Sequence, residues 1–174
     1  VTLRIYADGQ GGKPLKTVSL KSNPTSGDNL LWQGDVKGDL NGRFYTFDVK
    51  YGKRWTGETP GVFATAVGIN GRRGAIIDMR ATDPAGWDQD RRPSIAPKDL
   101  VLYELHHRDF SIDASSGLEH KGKFLALTEP RAIDHLKRLG VNAVHILPSF
   151  DFASIDESRP DLNKYNWGYD PLNY

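Results

Sequence analysis

The chain has 174 residues, 38% of them apolar and 26% charged, with a formal net charge of +1 and no cysteine. That length permits one domain or two small ones, while the near-neutral charge gives no field for nucleic acid or anionic lipid, so no nucleic acid and no membrane is expected as a partner and a neutral glycan is compatible. No stretch approaches the roughly 20 apolar residues needed to span a bilayer, and disulfide and thiolate chemistry are excluded.

Residues 1–80 read as short strands separated by turns, the pattern of an antiparallel sandwich. VTLRIYA at 1–7 alternates Val1, Leu3 and Ile5 against Thr2, Arg4 and Tyr6, which predicts one buried and one wet face. After the turn DGQGGKP, LKTVSL at 15–20 is its partner strand, and KSNPTSGDN at 21–29 reads as a polar loop. LLWQGDV carries Trp32, and RFYTFDVKY at 43–51 puts Tyr45, Phe47, Val49 and Tyr51 on one face. AVGINGRRGAIIDM contains Asn70-Gly71, a strong hairpin signal, with Arg72-Arg73 at a solvated tip. Trp32 and Trp55 are candidate glycan platforms, although a lone strand Trp is more often buried area. ATDPAGWDQDRRPSIAPK at 81–98 lacks periodicity and reads as a linker, with Trp87 as its anchor.

From Asp99 onward the pattern changes to strand, helix, strand and a long aromatic loop. Leu100 to Leu105 form a continuous apolar run, as in a parallel strand buried on both faces. TEPRAIDHLKRLG predicts a helix with Thr128 as N-cap, Pro130 in the first turn, and Ala132, Ile133, Leu136 and Leu139 as an apolar stripe. Lys137 and Arg138 suit its negative end, and Gly140 is a left-handed cap. VNAVHI then leads to Leu147 and Pro148, which ends the second strand. Together they predict one right-handed βαβ unit.

YELHHRDF at 103–110, GVNAVHILP at 140–148 and above all YNWGYDP at 165–171 closely resemble a type I pullulanase of the α-amylase superfamily, glycoside hydrolase family 13. SIDASSGLEHKGKFLALTE at 111–129 and FDFASIDE at 150–157 fit the same pattern. The resemblance covers residues 99–174 by motif and residues 1–98 by layout. It implies an incomplete, immunoglobulin-like β-sandwich at 1–80, of the family 48 carbohydrate-binding type, a linker at 81–98, and the start of a (β/α)8 TIM barrel at 99–174: strand 1, helix 1, strand 2 and its loop. The Trp-Ala-Pro strand that usually opens such a module is missing here.

A retaining glycosidase needs two carboxylates roughly 5–5.5 Å apart. In the family these come from later barrel strands, and a full barrel takes about 250 residues, whereas Asp99 to Tyr174 is 76 residues. No catalytic residue is therefore expected in this chain, and the family pattern gives Asp151, Asp156 and Glu157 no such role. By resemblance Tyr169 is the aromatic platform that stacks on the sugar, Asp170 hydrogen-bonds in the same subsite, and Tyr165, Asn166 and Trp167 shape the loop as the remaining substrate-binding residues. The alternative for Tyr169 is a structural aromatic at the barrel rim. His106 and His107 point to opposite faces of a strand end, His145 reads as a satisfied core histidine, and His120 and His135 have no partner at ligand spacing, so no metal site is read. Some relatives bind calcium, which makes it the one cofactor to consider for the parent enzyme; its ligands are not identifiable here.

The resemblance thus implies a piece of a debranching enzyme that hydrolyses α-1,6-glucosidic bonds with retention, taking pullulan, starch or glycogen oligosaccharides. On its own the piece is expected to be inactive. A two-stranded piece of barrel leaves apolar faces and open edges uncovered, and the sequence starts at Val1 without methionine, which suggests processing, cleavage or a chosen boundary. A second chain bearing the remaining C-terminal part is the expected partner. The alternatives are a non-catalytic α-glucan-binding module, or another debranching or branching member of the superfamily.

Overall fold

The computed structural model describes residues 1–24, 30–162 and 164–173. They form two compact units, Val1–Ala85 with Asp151–Lys164 and Leu172–Tyr174, and Gly86–Phe150 with Tyr165–Pro171.

The first unit is built on a five-stranded antiparallel sheet. Its strands are drawn from β1 (Thr2–Tyr6), β2 (Lys16–Ser19), β5 (Arg43–Tyr51), β6 (Arg54–Thr59) and β7 (Gly74–Ile76), while β3 (Lys21–Pro24) and β4 (Leu30–Gln33) form a separate ladder. β1 lies between β2 and β5, and the far edge of β5 is shared by β6 and β7. β3 falls where the sequence predicts a loop: Lys21 to Pro24 pair with Gln33 to Leu30, and the rest of that predicted loop, 25–29, lies outside the described residues.

Ile5 on the predicted dry face is 2% exposed, as alternation requires, but the face predicted to be wet is covered as well. Thr46 is 1% exposed, Tyr6 3%, and Asp48 is also buried, whereas Val49 and Tyr51 on the aromatic face of β5 are exposed. Cross-strand pairing explains the covered polar face. Arg4 reaches Asp48 at 3.1 Å and Glu58 at 3.5 Å. Tyr6 and Thr46 hydroxyls both donate to Glu58 Oε2 at 2.6 Å, and the Arg73 guanidinium lies 3.5 Å from the centre of the Tyr6 ring. Arg4, Tyr6, Thr46 and Asp48 are thereby partnered, which is the condition for burying polar groups. Arg73 also donates to the Asp8 carbonyl, so it is not the solvated tip predicted for it.

Asn70-Gly71 does turn a hairpin. Asn70 has φ 56° and Gly71 φ 60°, the left-handed pair such a turn requires, and Gly68 donates to the Arg73 carbonyl beneath it at 2.8 Å.

In the second unit β8 (Leu102–Leu105) pairs in parallel with β9 (Ala143–Ile146), Glu104 beside His145. Between them come a short helix α1 (His107–Ser111), unforeseen in the sequence, and α2 (Pro130–Arg138). α2 starts two residues after its predicted cap. Glu129 occupies the N-cap position, and Thr128 instead donates to the Leu125 carbonyl, closing the 3-10 turn Phe124–Thr128. The Glu129 carboxylate faces away from α2 and accepts from the Glu119 and His120 amides. The far end follows expectation: Gly140 N–H donates to Lys137 and Val141 N–H to Leu136, a Schellman closure with Gly140 at φ 78°. Ala132 packs with Leu118, Ala126 and Phe110, but Ile133 and Leu139 of the predicted stripe are exposed, as are Leu102 and Tyr103 of the strand expected to be buried on both faces.

The 81–98 stretch contains 3-10 turns at Met79–Thr82, Trp87–Gln89 and Pro97–Asp99 and no strand or α-helix. Trp87 is exposed. Back in the first unit, β10 (Asp151–Phe152) and β11 (Pro171–Asn173) form a two-stranded ladder, and residues 153–170 run between them along the chain.

Candidate functional site

Parallel strands present ligands at their carboxyl ends. In the second unit those ends deliver His106 after β8 and Leu147-Pro148 after β9, and the aromatic segment 165–171 lies against both. Gly168 makes the approach. It is buried with φ 93°, and a Cβ built there would collide with the Pro148 carbonyl oxygen, so both conformation and space require glycine. His106 makes the second attachment. Its Nδ1 accepts from the Asp109 amide as the N-cap of α1, which leaves the proton on Nε2 to donate to the Asn166 carbonyl at 3.0 Å.

Inside the segment Asn166 is a brace. Its Oδ1 accepts from Gly168 N–H and its Nδ2 donates to Asp170 Oδ1 at 2.6 Å. The three aromatic rings project outward from this braced backbone. Tyr165 donates to Asp109 Oδ2 at 2.7 Å and meets Trp167 edge-on, with centroids 5.6 Å apart. Tyr169 donates to Glu104 Oε1 at 3.0 Å. The carboxylates of Asp109 and Glu104 hold the Tyr165 and Tyr169 phenols above their ordinary value, because the hydrogen bond exists only while the phenol keeps its proton. Trp167 is 61% exposed and Tyr169 64%, whereas Asn166 and Asp170 are half-buried beneath them.

The arrangement offers apolar ring faces beside carboxylate acceptors, the chemistry that suits the C–H face and hydroxyls of a pyranose. Each predicted loop residue, Tyr165, Asn166, Trp167, Tyr169 and Asp170, falls within this one cluster. Glu104, Asp109, His106 and the Gly168–Pro148 approach were not singled out as site residues from the sequence, although Glu104, His106 and Asp109 lie in the YELHHRDF motif itself.

Asp151, Asp156 and Glu157 lie in the first unit. Asp151 accepts from Asn173, Asp156 from Ser158 and Asn70, and Glu157 from the Asn70 amide. Burial, with Asp151 alongside, pushes the Glu157 carboxyl up. His145 is not the core residue predicted: its side chain is 66% exposed, with Nδ1 3.9 Å from Glu104, whose carboxylate also accepts from the Tyr169 phenol. His107 turns the other way and meets Phe124 edge-on. Among the described residues no three His, Asp or Glu side chains gather at metal-binding distance. Trp32 and Trp55, read mainly as core, are 43% and 45% exposed, and Lys50 Nζ lies 5.8 Å from the centre of the Trp55 ring.

No family model matches the chain. The pullulanase of Bacillus subtilis is 41% identical over 148 residues, which is 80% of this chain and 20% of that protein. A crystal structure of the pullulanase from Paenibacillus barengoltzii in complex with maltohexaose and α-cyclodextrin superimposes with a TM-score of 0.87 at 43% identity, over 99% of this chain and 28% of that one. This chain belongs to the type I pullulanase family. Rice isoamylase 3, a chloroplast protein, is 39% identical over 100 residues, covering 53% of this chain and 12% of its own length. The pullulanase likeness thus extends through residues 1–98, where the sequence supported it by layout alone. The chain spans less than a third of the length of these pullulanase relatives.

Proposed function

We propose that this chain forms the sugar-holding wall of a pullulanase-type debranching enzyme, a hydrolase of α-1,6-glucosidic bonds in pullulan, starch and glycogen oligosaccharides. One observation carries the reading: an exposed Tyr169 ring whose phenol is tied to Glu104 on β8, in a loop that glycine alone can seat against the end of β9. The complex of the Paenibacillus barengoltzii relative with maltohexaose and α-cyclodextrin supports an α-glucan as ligand.

In this reading residues 1–80 are a carbohydrate-binding-type β-sandwich, 81–98 a linker and 99–174 the first βαβ unit of a (β/α)8 barrel. The antiparallel sheet and the parallel β8–α2–β9 succession support it. Tyr169 stacks on the sugar at the bond to be broken, Asp170 accepts from its hydroxyls, and Trp167 and Tyr165 extend the apolar wall. The two carboxylates of a retaining mechanism, one attacking the anomeric carbon and one protonating the leaving oxygen, belong to barrel strands outside residues 1–174. The test is maltotriose release from pullulan, which requires cleavage of the α-1,6 link. The chain alone releases none, the chain joined by the remaining barrel releases it, and Tyr169→Ala in that assembly abolishes release. Full activity in the Tyr169→Ala assembly would overturn the reading.

A non-catalytic α-glucan-binding role is favoured by the half-exposed rings of Trp32 and Trp55. Maltooligosaccharide binding by the chain that is lost in Trp55→Ala and kept in Tyr169→Ala would select it.

A further inference from the structure

A cavity of about 1410 Å³ opens in the first unit, and every residue lining it belongs to that unit. It exceeds the roughly 300–1,000 Å³ of most small-molecule clefts, so it has room for more than a single ion. Tyr6, Thr46, Glu58 and Arg73 of the covered polar face form part of its wall.

Six charged side chains line the cavity, Lys13, Arg72, Arg73 and Lys164 against Glu58 and Asp156. Half of them already have partners. Arg73 donates to the Asp8 carbonyl and lies over the Tyr6 ring, Asp156 accepts from Ser158 and Asn70, and Glu58 Oε2 accepts from Tyr6 and Thr46. Lys13, Arg72 and Lys164 are exposed and, among the described residues, form no hydrogen bond or ion pair. A lone exposed cation is ordinarily just solvated. Here the turn after β1, the hairpin tip and the stretch before β11 each bring one to the same cavity, and both carboxylates in its wall are engaged, so a positive field is left uncompensated.

Glu58 narrows the class of anion. Its side chain is 39% exposed and its Oε1 has only Arg4, at 3.5 Å, so it keeps free lone pairs. A carboxylate in the wall repels a bare polyanion such as nucleic acid, but it accepts from hydroxyls. A ligand that carries one phosphate and several hydroxyls meets both conditions.

We propose that this cavity binds a phosphate-bearing sugar, with Lys13, Arg72 and Lys164 holding the phosphate and Glu58 accepting from ring hydroxyls. The site is independent of the function proposed for Tyr169. The test is calorimetry and phosphorus NMR on the full 174-residue chain, with glucose 6-phosphate as probe and inorganic phosphate and glucose as comparators. Glucose 6-phosphate should bind about tenfold more tightly than inorganic phosphate, the value of a hydrogen bond to a charged acceptor, and more tightly than glucose. Lys13→Gln, Arg72→Gln and Lys164→Gln should each weaken it by about two- to fivefold, the range of one exposed ion pair, and the triple variant by more than about tenfold. Glu58→Gln should narrow the gap between the sugar phosphate and inorganic phosphate. Lys53→Gln, an exposed lysine of the same unit outside the cavity, should change nothing. No binding of glucose 6-phosphate by either method, or a loss in Lys53→Gln equal to that in Arg72→Gln, overturns the site. Equal affinity for glucose 6-phosphate and inorganic phosphate means an adventitious ion only and also overturns it, and a gap unchanged in Glu58→Gln overturns the part given to Glu58.

Discussion

The Tyr169 phenol donates to Glu104 Oε1 across 3.0 Å, linking the exposed ring of the aromatic loop to the strand face that also carries His145. In the proposed function the bond separates two contributions of one side chain: the ring face that would meet a sugar, and the hydroxyl that fixes its angle. Tyr169→Phe keeps the first and loses the second, so glucan affinity should fall by about fivefold, within the range of a single net hydrogen bond. Tyr169→Ala should lose binding almost completely. Calorimetry with maltotriose on the assembled enzyme measures both. Equal losses in the two variants would show that the ring does not stack.

Alkaline titration should report the same contacts. Hydrogen bonds to Glu104 and Asp109 raise the Tyr169 and Tyr165 phenols above the ordinary 10.0. The protonated phenol is the bonded form, so the loop's anchoring is complete below the ordinary value and is lost as pH climbs through the raised one. Phenolate absorbance in Glu104→Gln should show one tyrosine of the seven moving back toward 10.0. An unchanged titration curve would contradict the anchoring.

Gly168→Ala tests the seat of the loop. The φ of 93° alone costs a side chain about 1–3 kcal/mol, and the added Cβ meets the Pro148 carbonyl oxygen, which is backbone and cannot swing aside. The variant should keep the antiparallel sheet of the first unit, seen by unchanged exchange at β1 and β5, and lose ordered exchange protection at residues 165–171. Protection there equal to wild type would refute the close approach.

The buried polar face of the sheet gives an acid-sensitive term. Burial pushes the Glu58 carboxyl up, but hydrogen bonds from Thr46 and Tyr6, with Arg4 and Arg73 nearby, outweigh it and leave the group below its ordinary 4.5. A lowered carboxyl stabilises the fold above the ordinary value and loses that contribution as pH falls through the lowered one. Glu58→Gln should therefore flatten the acid limb of the stability profile. Tyr6→Phe and Thr46→Val should each cost about 1 kcal/mol, since a carboxylate still 39% exposed loses one donor and water can replace part of it. Urea unfolding at neutral and acid pH checks both.

The second unit was the more legible from the sequence because its signals are local. An apolar run, a proline-started helix closed by Gly140 and a second run are read within windows of a few residues, and β8, α2 and β9 lie where those windows put them. β6 was not legible: RWTGET has no apolar alternation and all six residues are exposed, so its pairing with β5 has no local signature. The buried face of β5 was misjudged for a related reason. Thr46 and Asp48 are covered only because Arg4, Tyr6 and Glu58 arrive from other strands. For the candidate site the motif pointed to the rings, but their partners Glu104 and Asp109 stand 65 and 56 residues earlier, and no spacing rule connects them.

Asn142 has a practical consequence for anyone rearranging this protein. Its side chain accepts from the Val101 amide and donates to the Asp99 carbonyl, while its own amide and that of Ala143 both donate to the Val101 carbonyl. Only two residues separate the helix-ending Gly140 from β9. An extra amino acid spliced into that gap would slip the strand by one and exchange the sides on which Val144 and His145 emerge, removing His145 from beside Glu104. Tags, permuted termini and grafts belong instead at Gly11-Gly12, where added side-chain atoms would meet nothing within 4 Å, provided the inserted residues supply glycine at the two positive-φ positions.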